Sequence, residues 1–308
     1  MNPRNPIATH MSILNGRILQ VGSIEKIAPV EKYELDDSFK DLIIMPGLVE
    51  GHSHLFEGTL WNKLYCGYFD RQKPDGSIQK GTKNVTELIS NLKHAEDKIE
   101  DSKTALSGWG LDPIYFSDKN LDRLILDKVS EKRPIGILHA SGHKLNVNSL
   151  GLKLAGFLRT GINHDGLPLG KDGIPTGEIR GAETIALVTK HVGLGKDWLS
   201  GDAEGLRNFG KICVRAGVTT ATDLANLQTD EAVEMMLKVT SEADFPARIV
   251  SFRYMQGINP KELIPKVLEL KKKSTENLRL GSIKIVADGS IQGFTARLKW
   301  PGYYNGCL

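Results

Sequence analysis

The chain lacks the features that define several protein classes. Its three cysteines, Cys66, Cys213 and Cys307, are far apart and form no Cys-x-x-Cys pair, so neither a disulfide framework nor a thiolate zinc site is expected. No apolar run approaches the roughly 20 residues that a membrane-spanning helix needs. Residues 1–10 are polar and hold two prolines, unlike a signal peptide. We therefore predict a cytoplasmic protein with no membrane contact.

An excess of charge of one sign is also lacking. The 308 residues carry 40 Lys and Arg against 37 Asp and Glu, which gives a net charge of +3. The one dense basic run, residues 271–273, is typical of a solvated helix face. The sequence therefore predicts no nucleic-acid partner, and its function has to be sought in particular motifs.

Short strands are predicted before residue 48. Residues 11–14 and 17–22 flank the pair Asn15-Gly16, which supplies the positive φ angles of a tight hairpin turn. Residues 26–30 and 42–44 continue the β character. The spacing of apolar residues then changes, and it predicts helices at 86–99 and 145–157, strands at 104–110 and 135–139, and a loop or hairpin at 158–182.

From about residue 200, predicted helices and strands alternate. The helices are predicted at 206–216, 230–242 and 261–273, and the strands at 218–223, 247–253 and 280–287. Gly217 lies where a helix commonly ends in the left-handed conformation. This alternation predicts βαβ units and therefore a parallel sheet.

Two histidines separated by one residue follow an apolar run. Residues 45–54 read Met-Pro-Gly-Leu-Val-Glu-Gly-His-Ser-His. If this run is a β-strand, its side chains alternate between faces, so His52 and His54 point the same way. Two imidazoles on one side of a strand end can bind one transition-metal ion, such as zinc, iron, manganese or nickel. The alternative is two ordinary histidines near a loop.

Other residues could contribute to such a site. Lys284 lies among apolar residues of a predicted strand, where an ammonium group is costly unless it is paired or neutralised; the alternative is an exposed or ion-paired lysine. His143 follows a strand and precedes a helix, where pocket residues gather in α/β folds; a structural histidine is the alternative.

Four further residues have two interpretations each. Trp109 could line a pocket or only pack in the core. Asp288 and Asp223 each end a predicted strand, where an Asp can face a substrate or cap a turn. Glu57 is close enough in sequence to reach the site, but we expect it at the surface.

The motifs together resemble those of a known family. Residues 45–54 resemble the first barrel strand of the amidohydrolase superfamily, and the chain resembles in particular its amidohydrolase-3 branch, which includes the N-substituted formamide deformylases. The other matching stretches are residues 5–8, 15–22, 108–113, 141–149, 154–156, 175–177, 217–220 and 283–290. One His-x-His motif is weak evidence, whereas this ordered set is strong.

The resemblance implies an α/β fold, an incomplete TIM-like (β/α) barrel with an N-terminal β-sandwich portion and an inserted α+β segment. The implied divisions are 1–47 for the partial β-sandwich, 48–99 for the start of the barrel, 100–198 for the insertion and 199–308 for the second to fourth barrel strands.

The resemblance also implies metal-dependent hydrolysis of a small molecule at a non-peptide C–N bond: an amide, formamide or cyclic amide. The implied cofactor is one or two divalent metal ions, zinc first, with iron and manganese as alternatives. His52, His54 and a carboxylated (carbamylated) Lys284 would bind metal. His143, Trp109 and Asp288 would line the substrate pocket. Assembly into a homo-oligomer is left open.

One departure from the family pattern matters. In the family, two further histidine ligands and a catalytic Asp come from the fifth, sixth and eighth barrel strands. This chain has no histidine beyond His191 and ends at Leu308, so the catalytic Asp is expected beyond Leu308. We therefore expect an N-terminal fragment that is inactive alone. The alternative function is a catalytically inactive binding or regulatory protein on the same scaffold.

Overall fold

The backbone course is given by a computed structural model, which describes residues 6–27, 32–101, 103–116, 121–195, 198–255, 258–291 and 296–303. The chain divides into two units, Met1–Leu48 and Val49–Leu308. Within the described ranges, no helix is both long enough and apolar enough to cross a membrane.

The first unit contains the predicted hairpin. Strand β1 (His10–Leu14) pairs antiparallel with β2 (Arg17–Gly22). Asn15 and Gly16 make the turn with φ angles of 50° and 74°, which only a small set of residues adopts readily. The hairpin prediction is confirmed.

The two other strands predicted in this unit are not found. Lys26 belongs to the short helix α1 (Ile24–Ile27), because the amides of Lys26 and Ile27 both donate to the carbonyl of Ser23, at 3.0 and 3.2 Å. Residues 28–30 lie outside the described residues. Residues 42–44 are not in a strand; the amide of Leu42 instead closes a turn onto the carbonyl of Phe39 at 2.9 Å.

The remaining elements follow in chain order. The strands are β3 (Leu48–Glu50), β4 (Leu64–Tyr65), β5 (Arg71–Gln72), β6 (Ile78–Gln79), β7 (Leu106–Leu111), β8 (Ile135–His139), β9 (Lys144–Val147), β10 (Glu178–Arg180), β11 (Val218–Asn226), β12 (Arg248–Tyr254) and β13 (Leu278–Lys284). The helices are α2 (Phe56–Leu60), α3 (Val85–Glu96), α4 (Arg123–Asp127), α5 (Ser149–Leu154), α6 (Ala182–Val188), α7 (Ala203–Arg215), α8 (Asp230–Thr240) and α9 (Pro260–Lys272), with 3₁₀ turns at Pro113–Tyr115, Thr189–His191 and Trp198–Ser200.

Four strands form a sheet in the order β13-β12-β11-β3, and β11, β12 and β13 run parallel. The predicted βα alternation is therefore confirmed. Helix α7 begins at the cap residue Asp202 and is followed by Gly217 with a φ of 68°. Buried side chains of α7, α8 and α9 pack on the sheet in one core, which includes Leu206, Met236 and Leu270. In the described part of the chain this sheet is open, with β13 and β3 as its edges.

A second sheet has five strands in the order β10-β9-β8-β7-β4. Strand β7 is parallel to β4 and β8, whereas β9 is antiparallel to β8 and β10. The helix predicted at 145–157 is wrong in its first part, because Leu145 and Val147 pair with β8 in strand β9. The helix itself is the shorter α5.

The buried side chain of Asn148 joins three segments around the second sheet. The Asn148 side-chain oxygen accepts from the amides of Ile135 at 3.0 Å and Gly151 at 2.9 Å. Its side-chain nitrogen donates to the carbonyls of Ser130 at 2.9 Å and Arg133 at 2.8 Å. All of its hydrogen-bonding groups are therefore satisfied although the side chain is fully buried.

Loss of this side chain should cost much more than loss of an ordinary helix cap. Asn148→Ala removes four hydrogen bonds and leaves buried partners unsatisfied, so we expect the free energy of unfolding to fall by about 3 kcal/mol or more. The matched control is Asn84→Ala, because Asn84 is exposed and caps α3 through one bond to the Glu87 amide; it should cost about 1 kcal/mol. Urea denaturation followed by circular dichroism measures both. Equal losses would contradict this account.

Candidate active site

The two sheets meet at a cavity of about 470 Å³. Its walls come from the ends of strands in both sheets: residues after β3, the end of β7, the end of β8, the last residue of β12 and the last residue of β13. Ligand sites of α/β folds commonly lie outside the carboxyl ends of strands. The six predicted site residues all line this cavity: His52, His54, Trp109, His143, Lys284 and Asp288.

The two histidines lie after a strand rather than on one, because β3 ends at Glu50. The backbone of the loop is nevertheless fixed. The Glu50 carboxylate accepts from the His52 amide at 2.8 Å, and the Ser53 hydroxyl donates to the Thr222 carbonyl of β11 at 2.5 Å. The prediction that the two side chains lie together is supported by their ring centroids, which are 5.6 Å apart.

His54 carries a nitrogen that is available to a ligand. Its ring stacks on Phe56 with centroids 5.1 Å apart. Its Nδ1 atom is buried and has no hydrogen-bond partner in the described part of the chain. Burial lowers the pKa of His54 to about 4, and the nearby His52, Lys284 and His143 add to that effect. The ring is therefore neutral at neutral pH, which is the form that binds metal ions.

Lys284 is the last residue of β13, not a residue in the middle of a strand. Its side chain is half-buried, and its charge is close enough to lower the pKa of both His54 and His143. Carboxylation of this lysine stays a prediction. In the described ranges, no group of three or more His, Cys, Asp or Glu side chains is arranged to hold a metal ion, and metal binding by His52 and His54 stays a prediction.

The three predicted pocket residues differ in character. Trp109 is buried in β7 and lines the cavity. His143 is half-buried, and its pKa is lowered first by burial and then by Lys284. Asp288 lines the cavity but is exposed, and its carboxylate accepts from the amides of Gly289 and Arg297. Those hydrogen bonds lower the pKa of the Asp288 carboxyl. They also close a turn, so Asp288 caps this turn as well as lining the cavity.

Several cavity residues escaped the sequence analysis. Glu57 is exposed, as expected, but it also lines the cavity, and partial burial there raises the pKa of its carboxyl to about 6. Its position three residues after His54, in the first turn of α2, was a usable signal. Arg71 lies with its guanidinium carbon 5.8 Å from the Trp109 ring centroid. His139 was recognisable only as the last residue of a predicted strand.

Asp223 is not a cavity residue. It is fully buried in β11, and its carboxylate accepts hydrogen bonds from the Leu55 amide at 3.3 Å, the Asn226 side chain at 2.7 Å and the Ser251 hydroxyl at 3.3 Å. It therefore joins the segment after His54 to β11 and β12. Its role is to position that segment.

The chain is similar in sequence to known proteins. A profile of the amidohydrolase family matches residues 40–303. The chain is 27% identical to "Protein LONG AFTER FAR-RED 3" of Arabidopsis thaliana, over 93% of this chain and 48% of that protein. It is 26% identical to "Putative amidohydrolase YtcJ" of Bacillus subtilis (strain 168), over 93% of this chain and 52% of that protein. The chain thus spans about half the length of these relatives.

Two solved structures share the fold. Both are uncharacterized metal-dependent hydrolases. The match to the protein from Pyrococcus horikoshii OT3 has a TM-score of 0.53 at 15% identity, and it covers 91% of this chain and 51% of that protein. The match to the protein from Pyrococcus furiosus has a TM-score of 0.51 at 18% identity, and it covers 90% of this chain and 52% of that protein. They support a mixed α/β fold of the kind found in metal-dependent hydrolases.

The buried Asp223 should make stability depend on pH. Burial raises its pKa from 3.8 to about 6, so between these values the folded chain holds a proton that the unfolded chain has lost. The free energy of unfolding therefore falls as the pH rises through this range, by about 3 kcal/mol for a shift of about two units. Asp223→Asn removes this titration.

We therefore expect the stability difference between the metal-free wild type and Asp223→Asn to move by about 3 kcal/mol in favour of the variant between pH 4 and pH 7. Urea denaturation at a series of pH values measures it. Asp97→Asn, at an exposed residue after α3, is the control. A difference that does not change with pH would contradict the assignment.

Proposed function

The chain belongs to the amidohydrolase family, and from that premise we propose that it is a metal-dependent hydrolase of non-peptide C–N bonds in amides, formamides or cyclic amides. One observation carries the proposal. The His52 and His54 ring centroids lie 5.6 Å apart at a cavity, and the Nδ1 atom of His54 is buried with no hydrogen-bond partner among the described residues. Such a nitrogen is costly to bury, and a bound metal ion would satisfy it.

The residues present fit a divalent metal ion. His52 and His54 would hold it through neutral imidazoles, which suit zinc as well as iron and manganese. Lys284, if carboxylated, would add carboxylate oxygens at the same end of the cavity. When bound, a metal ion of this kind lowers the pKa of a water molecule to about 7 and polarises a carbonyl group.

The rest of the cavity suits a small substrate. The apolar part of the cavity wall is formed by Phe56, Leu60, Leu138 and Trp198. It would contact the apolar part of the substrate and limit the access of water. His143 is kept neutral by its lowered pKa, so its ring can both donate and accept a hydrogen bond to a substrate group. A small-molecule substrate is therefore the partner that we propose.

A second candidate function has an observation of its own. The described residues bring no third His, Cys, Asp or Glu to the two histidines. A protein that uses this cavity to bind a small molecule without hydrolysing it would have the same geometry. Metal content and activity, measured together, separate the two functions.

Substitution of either histidine should weaken metal binding. We expect His54→Ala and His52→Ala each to weaken zinc or manganese binding by about tenfold or more, because each removes one of two imidazole ligands. Isothermal titration calorimetry with the metal-free chain measures the affinity. The control is His94→Ala, because His94 is exposed on α3 and does not line the cavity.

The same proteins are then assayed, with zinc or manganese, against N-formyl, acyl-amide and cyclic-amide substrates. Hydrolysis by the wild type that is lost in His54→Ala would support the enzyme. Metal bound by the wild type without hydrolysis of any substrate would match the expectation of a chain that is inactive alone, and would leave small-molecule binding as the function of these residues. Metal affinity that neither histidine substitution changes would refute the proposed site.

A further inference from the structure

Arg71 places a positive charge on the wall of the cavity. It lies in β5, the first strand of the short hairpin with β6, and it lines the same cavity as His52 and His54. Its guanidinium carbon lies 5.9 Å from the ring centroid of Tyr65 and 5.8 Å from that of Trp109. Both distances fall within the range of cation–π attraction, which extends to about 6 Å. Two aromatic rings therefore support the guanidinium at the cavity.

The two supporting rings are fixed by their own packing. Tyr65 and Trp109 are both buried, and their ring centroids are 5.1 Å apart. The Tyr65 hydroxyl donates to the Phe69 carbonyl at 2.9 Å. Both rings belong to the same buried core as Phe56, whose ring stacks on His54. One core therefore supports both the guanidinium and one of the two histidines.

In the part of the chain that the structure describes, the Arg71 side chain forms no ion pair and no hydrogen bond. The carboxylate of the preceding residue, Asp70, instead accepts from Lys80 Nζ at 2.7 Å and from the Gly81 amide at 2.9 Å. Burial raises the pKa of Glu57 to about 6 and the charge of Arg71 opposes that rise, yet these two side chains are not paired. Because Arg71 is exposed, a ligand that enters the cavity can reach its five N–H donors.

We propose that Arg71 binds a carboxylate group of the substrate, which narrows the substrate class to amides that also carry a carboxylate, such as N-acyl amino acids. The planar guanidinium matches a carboxylate through two parallel N–H···O bonds. A phosphate carries more negative charge and would be repelled more strongly by Glu57 and Asp288, which line the same cavity. The cavity of about 470 Å³ suits one small molecule. The subsite rests on the proposed function, because it takes that molecule to be the substrate.

The test compares three probes that share one acetamide group. N-acetylglycine carries a carboxylate, N-acetylglycinamide carries a neutral amide of the same shape, and (acetylamino)methylphosphonate carries a phosphonate. Their Kd values are measured at pH 7.5 by ligand-observed nuclear magnetic resonance on the full chain without added metal, because a metal ion would itself attract a carboxylate. We expect N-acetylglycine to bind at least about tenfold more tightly than N-acetylglycinamide, and also more tightly than the phosphonate.

Two variants test the guanidinium itself. Arg71→Met removes the charge but keeps an unbranched side chain, so it should raise the Kd of N-acetylglycine about tenfold or more and leave that of N-acetylglycinamide within about twofold. Arg71→Lys keeps the charge but loses the planar fork, so it should raise the Kd of N-acetylglycine by a smaller factor, about threefold. The matched control is Arg159→Met, because Arg159 is exposed and does not line the cavity; it should change neither Kd.

The outcomes separate this subsite from the proposed function. Absence of carboxylate binding, equal binding of the carboxylate and amide probes, or a carboxylate preference that Arg71→Met retains would each overturn the subsite, even if the chain hydrolyses amides. Tighter binding of the phosphonate would overturn the choice of a carboxylate. Carboxylate-selective binding that Arg71→Met abolishes would support the subsite, even if neither histidine binds metal. A melting curve shows whether each variant is folded, and Arg71→Lys alone also tests the guanidinium.

Discussion

The position of the two histidines depends on how the loop after β3 is held to β11. The carboxylate of Asp223 accepts from the Leu55 amide, and the Ser53 hydroxyl donates to the Thr222 carbonyl. These bonds bracket His54 on both sides and fix its backbone, and stacking on Phe56 then supports its ring. The arrangement requires a carboxylate that is fully buried, and its raised pKa shows what that burial costs. Burial of this carboxylate therefore lowers the stability of the fold, but it fixes the loop beside the cavity.

Local sequence signals predicted much of the fold, and their limits are visible in single elements. Asn15-Gly16 specified the hairpin turn, and the alternation of helical and strand patterns after residue 200 specified β11, β12 and β13. Strand β9 was missed, although apolar Leu145 and Val147 alternate with polar Lys144 and Asn146 at a period of two. The apolar residues that follow in α5 fit a helical spacing. Only the pairing of residues 144–147 with β8 and β10 makes this segment a strand rather than the start of that helix.

The candidate site was predictable in its motif residues and not in its surroundings. His52, His54 and Lys284 were singled out by residue type, and the fold brings all three to one cavity. The contributions of Arg71 and His139 come from distant segments, and nothing in their local sequence reports which cavity they face. Within the described residues, one ring nitrogen of His54, of Trp109 and of His139 is buried without a hydrogen-bond partner. This is a property of the packed structure alone, since it depends on which atoms the neighbouring segments leave unpaired.

The two sheets make different contributions to the cavity. The sheet with β3 and β13 carries His52, His54 and Lys284 at its strand ends, whereas the sheet with β7 and β8 carries Trp109 and His139. The two walls are nevertheless coupled, because Phe56 belongs to the same buried core as Trp109 and Leu138, and its ring stacks on His54 with centroids 5.1 Å apart. Substitutions in β7 and β8 can therefore shift the ring that supports His54, since residues in contact do not act independently.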